Sequence, residues 1–584
     1  MAPPEPTDTV PDREWWKEAV VYQIYPRSFN DSDGDGVGDI PGITEKADYL
    51  DALGVDVVWL CPVYESPNAD NGYDIADYRS IASEFGTMAD WEELLDALHA
   101  RDIRLVMDLV VNHTSDEHEW FEKSRRKEEG YEDYYIWREG RPAEVGETTG
   151  DGTEGPDGEA PPNNWESFMG GSAWSYDDVR EAWYLHIFDE KQPDLNWENP
   201  TVREEVAEMV NWWLEKGIDG FRLDAINYLS KVPDLPDGDP DGGPPVGLEG
   251  FDHGPRIHEF LRELYDRTFA NYDAMTVAEM SGTTVEMAGD YLGEDGDGLD
   301  MIFHFQHMEL DAGPRGRWDP EGFGEWSLPE LKRITSRWQG RLGADGWNAL
   351  YLGNHDQPRI VSRFGDDEAY REESAKLLAT FLLTSRGTPF VYQGEEIGMT
   401  NTAFETLDDV DDPMTVGAVE GMLAAGVVDS YEEARGVVDY MSRDHARTPM
   451  QWTGSDGAGF TDGEPWLALT DNSEEINVAA ARADEDSIWH HYRRLIELRH
   501  EEEVYVYGEY ELLLPEHERL FAYTRTLGDE RRLVVLDWSD EPATFETEAV
   551  DTTGAEVVVG NYEDAPADPD GAEFRPYEAV VYRL

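Results

Sequence analysis

Four short apolar runs of this 584-residue chain end in the same kinds of side chain. DLVVNH carries Asp108, Asn112 and His113; GFRLDA carries Arg222, Asp224 and Ala225; VAEM carries Glu279; GNHD carries His355 and Asp356. Arg222 and Asp224 are two apart, so on a strand they share a face, and the cation keeps the Asp ionised at neutral pH. An ionised Asp can attack carbon. Glu279 follows the apolar MTVA, where a poorly solvated carboxyl near another carboxylate holds its proton, as a general acid must. The pair matches glycoside cleavage by double displacement, for which the carboxyl oxygens lie about 5–5.5 Å apart; spacing in sequence leaves an inverting pair, at about 6.5–9.5 Å, open. A single Asp at a strand end ordinarily caps the next helix. Four acids with two His and an Arg, all at such ends, point instead to a site.

The elements that must position them recur regularly. Eight β-branched or apolar runs, at 20–26, 56–62, 103–110, 218–224, 275–280, 300–305, 348–353 and 388–393, alternate with amphipathic segments such as 43–53, 89–100, 201–216 and 370–383. Eight alternating strand and helix units predict an α/β fold, a closed (β/α)8 TIM barrel. Three stretches break the alternation: about 114–185, containing the Gly-, Pro- and acid-rich 139–164; 232–255; and about 399–460. All three leave from the rim where barrel enzymes keep their chemistry. After about 506 short strands with turns replace the pattern. The expected organisation is a first barrel segment 1–113, an inserted loop-rich domain 114–185, a second barrel segment 186–505 with a subdomain near 399–460, and a C-terminal antiparallel β domain 506–584.

Composition narrows the setting. The 128 acids against 46 bases give a net charge of −82, and only 9 of the bases are Lys. Such a sum repels phosphate backbones and anionic membranes, so neither nucleic acid nor membrane is an expected partner. It also predicts a halophile, because molar salt shortens the screening length to about 3 Å. The one cysteine, Cys61, excludes an intrachain disulfide and reads as core. MAPPEPTDTVPDREWW has no signal-peptide pattern and no window approaches 18 continuous apolar residues, so the expected location is the cytoplasm.

A second constellation suits a cation. DSDGDGVGD places Asp31, Asp33, Asp35 and Asp39 at positions one, three, five and nine of a calcium-type loop, with Gly36 at the sharp turn and Val37 offering its carbonyl. Position twelve is Gly42, so the loop is not an EF-hand.

Together with NGYD at 71–74, QPDLNWENP at 192–200, YPRSFNDSDGDGVGDIPGI at 25–43 and SRDHARTPMQW at 442–452, the strings above resemble the ordered signatures of the α-amylase family, glycoside hydrolase family 13, and more closely its oligo-1,6-glucosidase and α-glucosidase branch. The likeness runs from about 14 to 500. It implies Asp224 as nucleophile, Glu279 as acid and base, and Asp356 as transition-state stabiliser. It further implies that Asp74, Tyr73, His113, Arg222, His355 and Arg447 line the pocket for a terminal glucose, and that a structural Ca²⁺, or Mg²⁺, fills the acidic loop.

In this branch the residue after the nucleophile tends to be Val in α-1,6-specific enzymes and Ala or Thr in those acting on α-1,4 links; here it is Ala225. That favours maltose and short malto-oligosaccharides, with isomaltose and sucrose as secondary substrates. The insertions are expected to wall the pocket and make cleavage exo-acting. The implied partner is a small oligosaccharide, and the chain is expected to be a monomer or small homo-oligomer. The rival readings are a trehalose synthase-type isomerase, an oligo-1,6-glucosidase and, more remotely, an inactive binding protein.

Overall fold

The computed structural model describes residues 13–142, 158–240, 245–293, 297–342 and 346–584. Most of the predicted loop 139–164 and residues 241–244 of the predicted loop 232–255 lie outside these. Eight parallel strands close a barrel: β1 (Val21–Ile24), β2 (Val57–Leu60), β3 (Arg104–Val110), β4 (Gly220–Asp224), β5 (Met275–Glu279), β6 (Met301–Phe303), β7 (Trp347–Leu350) and β8 (Thr388–Tyr392). Each pairs with its neighbours in sequence, and β8 closes on β1 through Val21 opposite Phe390. They fall on the eight predicted runs, mostly trimmed at their ends, with β7 starting one residue earlier than its run, at Trp347. Their residues are almost all buried, as expected of parallel strands covered on both faces. Trp59, Phe303 and Phe390 meet inside the barrel at centroid distances of 4.6–6.3 Å and fill it, forming a floor for the residues at the strand ends.

The helices follow their caps. Thr87 and Asp90 form a capping box before Met88–His99, and Asn199 caps Pro200–Lys216, which ends at Gly217 in the left-handed region. The predicted helix 43–53 is instead two helices, Ile40–Glu45 and Ala47–Leu53. Lys46 leaves helical geometry between them (φ −97°, ψ 4°), and the chain starts earlier because Asp39 caps Gly42 and Pro41 occupies the first turn.

The excursion after β3 holds a helix, Glu119–Arg125, and a three-stranded antiparallel sheet of Trp137–Arg138, Ala182–Leu185 and Trp174–Asp177. It returns beside the barrel at Asp194 and Leu195, which bridge to His113 and Tyr135. Lys231, from the loop after β4, fastens it: the Nζ is 2.6 Å from Asp194 and 2.8 Å from the Asn112 side-chain oxygen, all three residues buried. After β8, the helices Pro413–Ala425 and Tyr431–Met441 pack on each other through Val419, Met422, Val437 and Val438. The C-terminal strands Glu509–Leu513, Leu520–Leu527, Glu530–Asp537, Ala579–Arg583 and Glu556–Gly560 form one antiparallel sheet in that order, facing a small pair, Ala543–Phe545 with Ala572–Phe574. Among the described residues no helix is long and apolar enough to cross a membrane.

Candidate active site

Because barrel strands run parallel, their C-terminal ends share one rim, and the register sets Arg222 opposite Asp108 and Asp224 opposite Val110. The Arg222 guanidinium lies at the centre. It donates to Asp108 at 2.7 Å and Asp224 at 2.5 Å from one terminal nitrogen, and reaches Glu279 at 2.7 Å from the other. Asp108 is fully buried and also takes the Trp59 indole N–H at 2.7 Å, so it anchors the arginine rather than facing the mouth. The Ala225 amide, in the left-handed region at φ 45°, donates to the second Glu279 oxygen at 3.3 Å.

Burial and neighbouring charge separate the carboxyl groups. Burial pushes Asp224 up to about 6 against the pull of Arg222. Glu279 is pushed up to about 7, by burial first and then by the charges of Asp224 and Asp356, with Arg222 opposing. Burial would raise Asp356 too, but His355, Arg443, Arg447 and Arg222 together hold it far below the usual carboxylate range. Near neutral pH the rim therefore presents ionised Asp356, largely ionised Asp224 and a Glu279 that can carry a proton.

Asp356 is gripped by Arg447 at 2.9 Å, Arg443 at 3.1 Å and the His355 Nε2 at 3.3 Å. Tyr73 stacks on His355 with ring centroids 5.2 Å apart, and its carbonyl meets His113 Nε2 at 3.1 Å. Burial lowers His113 to about 4 and His355 to about 3, so both imidazoles are neutral.

Two sequence readings need correcting. Asp74 does not line the pocket: it is fully buried, and its oxygens accept the amides of Ala69 and Asp70 and the Ser66 hydroxyl, stapling its own loop. The carboxylate of that loop that reaches the rim residues is Asp70, 3.3 Å from Arg443 and 3.2 Å from the Gln192 amide, which also reaches His113 at 3.1 Å. Asn71 and Gly72, both at positive φ, turn the chain between the two aspartates, and Asp74 closes that turn by accepting the Ala69 and Asp70 amides. Arg447 is 1% exposed and also donates to the His355 carbonyl, which makes it a brace beneath Asp356. The arginine joining the pocket groups is Arg443, held in turn by the buried Asp412 at 2.5 Å. Arg443 stands inside a string already singled out, SRDHARTPMQW, whereas Asp70 lies just before another, NGYD at 71–74, and outside it.

In the acidic loop, Asp31, Asp33 and Asp39 bring carboxylate oxygens within 4.8 Å of one another. Asp31 also accepts the amides of Asp33, Gly34 and Gly36 and the Thr461 hydroxyl, which orient it. Three carboxylates on one side of a turn are an oxygen donor set that suits a hard divalent cation. Asp35 stands outside this group and accepts the Val37 amide at 2.9 Å.

A parallel eight-stranded barrel whose rim gathers two carboxyl groups under one guanidinium is a frame suited to a glycoside hydrolase. The chain belongs to the α-amylase family, whose catalytic-domain model (Alpha amylase, catalytic domain) matches residues 23–508, and to its oligo-1,6-glucosidase branch. It is 51% identical to an oligo-1,6-glucosidase from Parageobacillus thermoglucosidasius over 98% of this chain and 99% of that one. An alpha-glucosidase from Pediococcus pentosaceus is 45% identical over 98% of each. The solved isomaltulose synthase from Klebsiella sp. LX3 superposes with a TM-score of 0.91 at 41% identity, over 98% of this chain and 100% of that one.

Proposed function

We propose that the protein is an exo-acting retaining α-glucosidase that favours terminal α-1,4 bonds of maltose and short malto-oligosaccharides. The observation that carries this reading is the Arg222 guanidinium, which binds Asp224 and Glu279 through its two terminal nitrogens and keeps the two carboxyl groups close. Two carboxyl groups bridged by one guanidinium are compatible with the short spacing of a nucleophile and acid pair.

Asp224 attacks the anomeric carbon as Glu279 gives its proton to the departing glycosidic oxygen, leaving a β-glucosyl ester on Asp224. Glu279, now a carboxylate, takes a proton from water; that water displaces Asp224 and releases glucose in its original anomeric form. Asp356, held ionised by its arginines, accepts from two vicinal hydroxyls and strengthens those bonds as the ring flattens. Asp70 with Arg443, and the neutral His113 and His355, supply acceptors and donors for the remaining hydroxyls.

Ala225 supports the α-1,4 preference. It is buried beside Tyr228 and Phe251, and its small side chain leaves room for a leaving sugar joined through a secondary hydroxyl. The relatives named oligo-1,6-glucosidase favour a second reading in which isomaltose is preferred. Incubation with maltose, isomaltose, sucrose and trehalose in high salt separates these: glucose fastest from maltose supports the proposal, fastest from isomaltose the second reading, and trehalose formed from maltose an isomerase. We further propose that Ca²⁺, or Mg²⁺, binds at Asp31, Asp33 and Asp39 and stabilises the loop without entering the reaction.

A further inference from the structure

Asp356 is gripped from one side by His355, and what decides which proton His355 carries lies on β1, two strands round the barrel from β7. Gln23, on β1 and 1% exposed, places its amide nitrogen 2.8 Å from His355 Nδ1 and 3.2 Å from Cys61 Sγ. Two N–H bonds thus meet two acceptors. Neighbouring rings hold the imidazole in place: Tyr73 and Tyr25 stack on it at 5.2 Å and 6.1 Å, and Trp59 stands edge-on at 6.0 Å.

Deepening the glycosidase reading, on which its kinetic part rests, we propose that Gln23 is a positioning residue that fixes His355 as the Nε2–H tautomer. The imidazole then presents a donor to Asp356 and to the sugar hydroxyl that Asp356 holds. The reverse amide orientation would put the Gln23 carbonyl against Nδ1 and require the proton there. The bare Nε2 lone pair would then face an ionised carboxylate at 3.3 Å, a repulsive contact in a site with little water to screen it. Only the Nε2–H form satisfies both neighbours. A second proton is opposed by burial and by the guanidiniums of Arg222, Arg447 and Arg443, which with Asp356 are the charged groups facing the ring; Tyr25 and Tyr73 are the titratable groups stacked on it.

The test is nitrogen NMR of the full chain carrying ¹⁵N-histidine, with His355→Gln identifying the resonances, beside kinetics of Gln23→Glu. Wild type at pH 7 should show His355 neutral with its proton on Nε2. In Gln23→Glu the introduced carboxylate accepts from Nδ1, so the proton moves there, and kcat/KM should fall about tenfold to a hundredfold, carried by kcat. Lowering the pH should recover part of the loss, because an imidazolium regains the Nε2 donor and the introduced carboxylate stabilises it, so the activity profile shifts to the acid side. Should that variant not fold, Gln23→Met removes the donor while keeping the length, and a measurable Nδ1–H fraction is expected beside the Nε2–H form that Asp356 continues to favour. A wild-type His355 protonated on Nδ1, an unchanged kcat/KM and pH profile in Gln23→Glu, or a pure Nε2–H ring in Gln23→Met overturns the proposal. If wild type cleaves no α-glucoside the activity reading fails, while the nitrogen spectra still decide the tautomer.

Discussion

Replacing Glu279 by Gln isolates the proton-transfer step. The wild-type carboxyl is lifted from 4.5 to about 7 by burial and the nearby charges of Asp224 and Asp356. At pH 6 about nine in ten copies therefore carry the proton, against roughly three in a hundred for an ordinary Glu, a gain of about thirtyfold in competent acid. Since the acid must be protonated to start the reaction, the basic limb of kcat/KM should lie near pH 7, with activity lost as pH rises through it. The Gln variant keeps the shape, and its one carbonyl oxygen can still accept from Arg222, but its amide nitrogen replaces the oxygen that met the Ala225 amide and it has no acidic proton to give. Turnover of maltose should drop by about 10²–10⁴ and the basic limb should vanish. Glucosyl fluoride, whose leaving group needs no acid, should still load Asp224, and the ester should then accumulate as a burst because no base activates water. Azide, which needs no base, should restore turnover and yield the α-glucosyl azide, read by proton NMR. Wild-type turnover in Glu279→Gln, or β-glucose as the first product of the wild type, refutes the assignment and the retaining course together.

Asp70→Asn should lower kcat/KM at least tenfold with little change in melting temperature, whereas Asp74→Asn should chiefly lower the melting temperature; a reversal of the two would return Asp74 to the pocket. Lys231→Met leaves the buried carboxylate of Asp194 without its counter-charge and should cost about 3–5 kcal/mol, measured by denaturant unfolding; a loss below about 1 kcal/mol would show that Lys231 does not fasten the excursion to the barrel. With a net charge of −82, the melting midpoint should rise with potassium chloride into the molar range, and a maximum below about 0.2 M contradicts a halophilic protein. Chelation should lower the midpoint and added Ca²⁺ restore it; an unchanged midpoint argues against a cation at Asp31, Asp33 and Asp39.

The barrel, its eight strands and the meeting of Asp224, Glu279 and Asp356 were legible in the sequence for a local reason. A β-branched run between amphipathic segments is a strand whatever surrounds it, and in a parallel barrel every strand end reaches the same rim. The two-residue period likewise put Arg222 and Asp224 on one face before any contact was known. What lies in loops was not determined in that way. Whether Asp70 or Asp74 reaches the rim residues rests on a turn through Asn71 and Gly72 and on an arginine more than 370 residues away, at 443. That Arg447 is a buried brace, that Asp35 stands apart from the other loop carboxylates, and that Gln23 meets His355 all depend on segments distant in the chain packing side by side. Spacing along a strand fixes direction within about two residues. Direction beyond that is fixed only when the chain closes on itself and each buried polar group must find a partner.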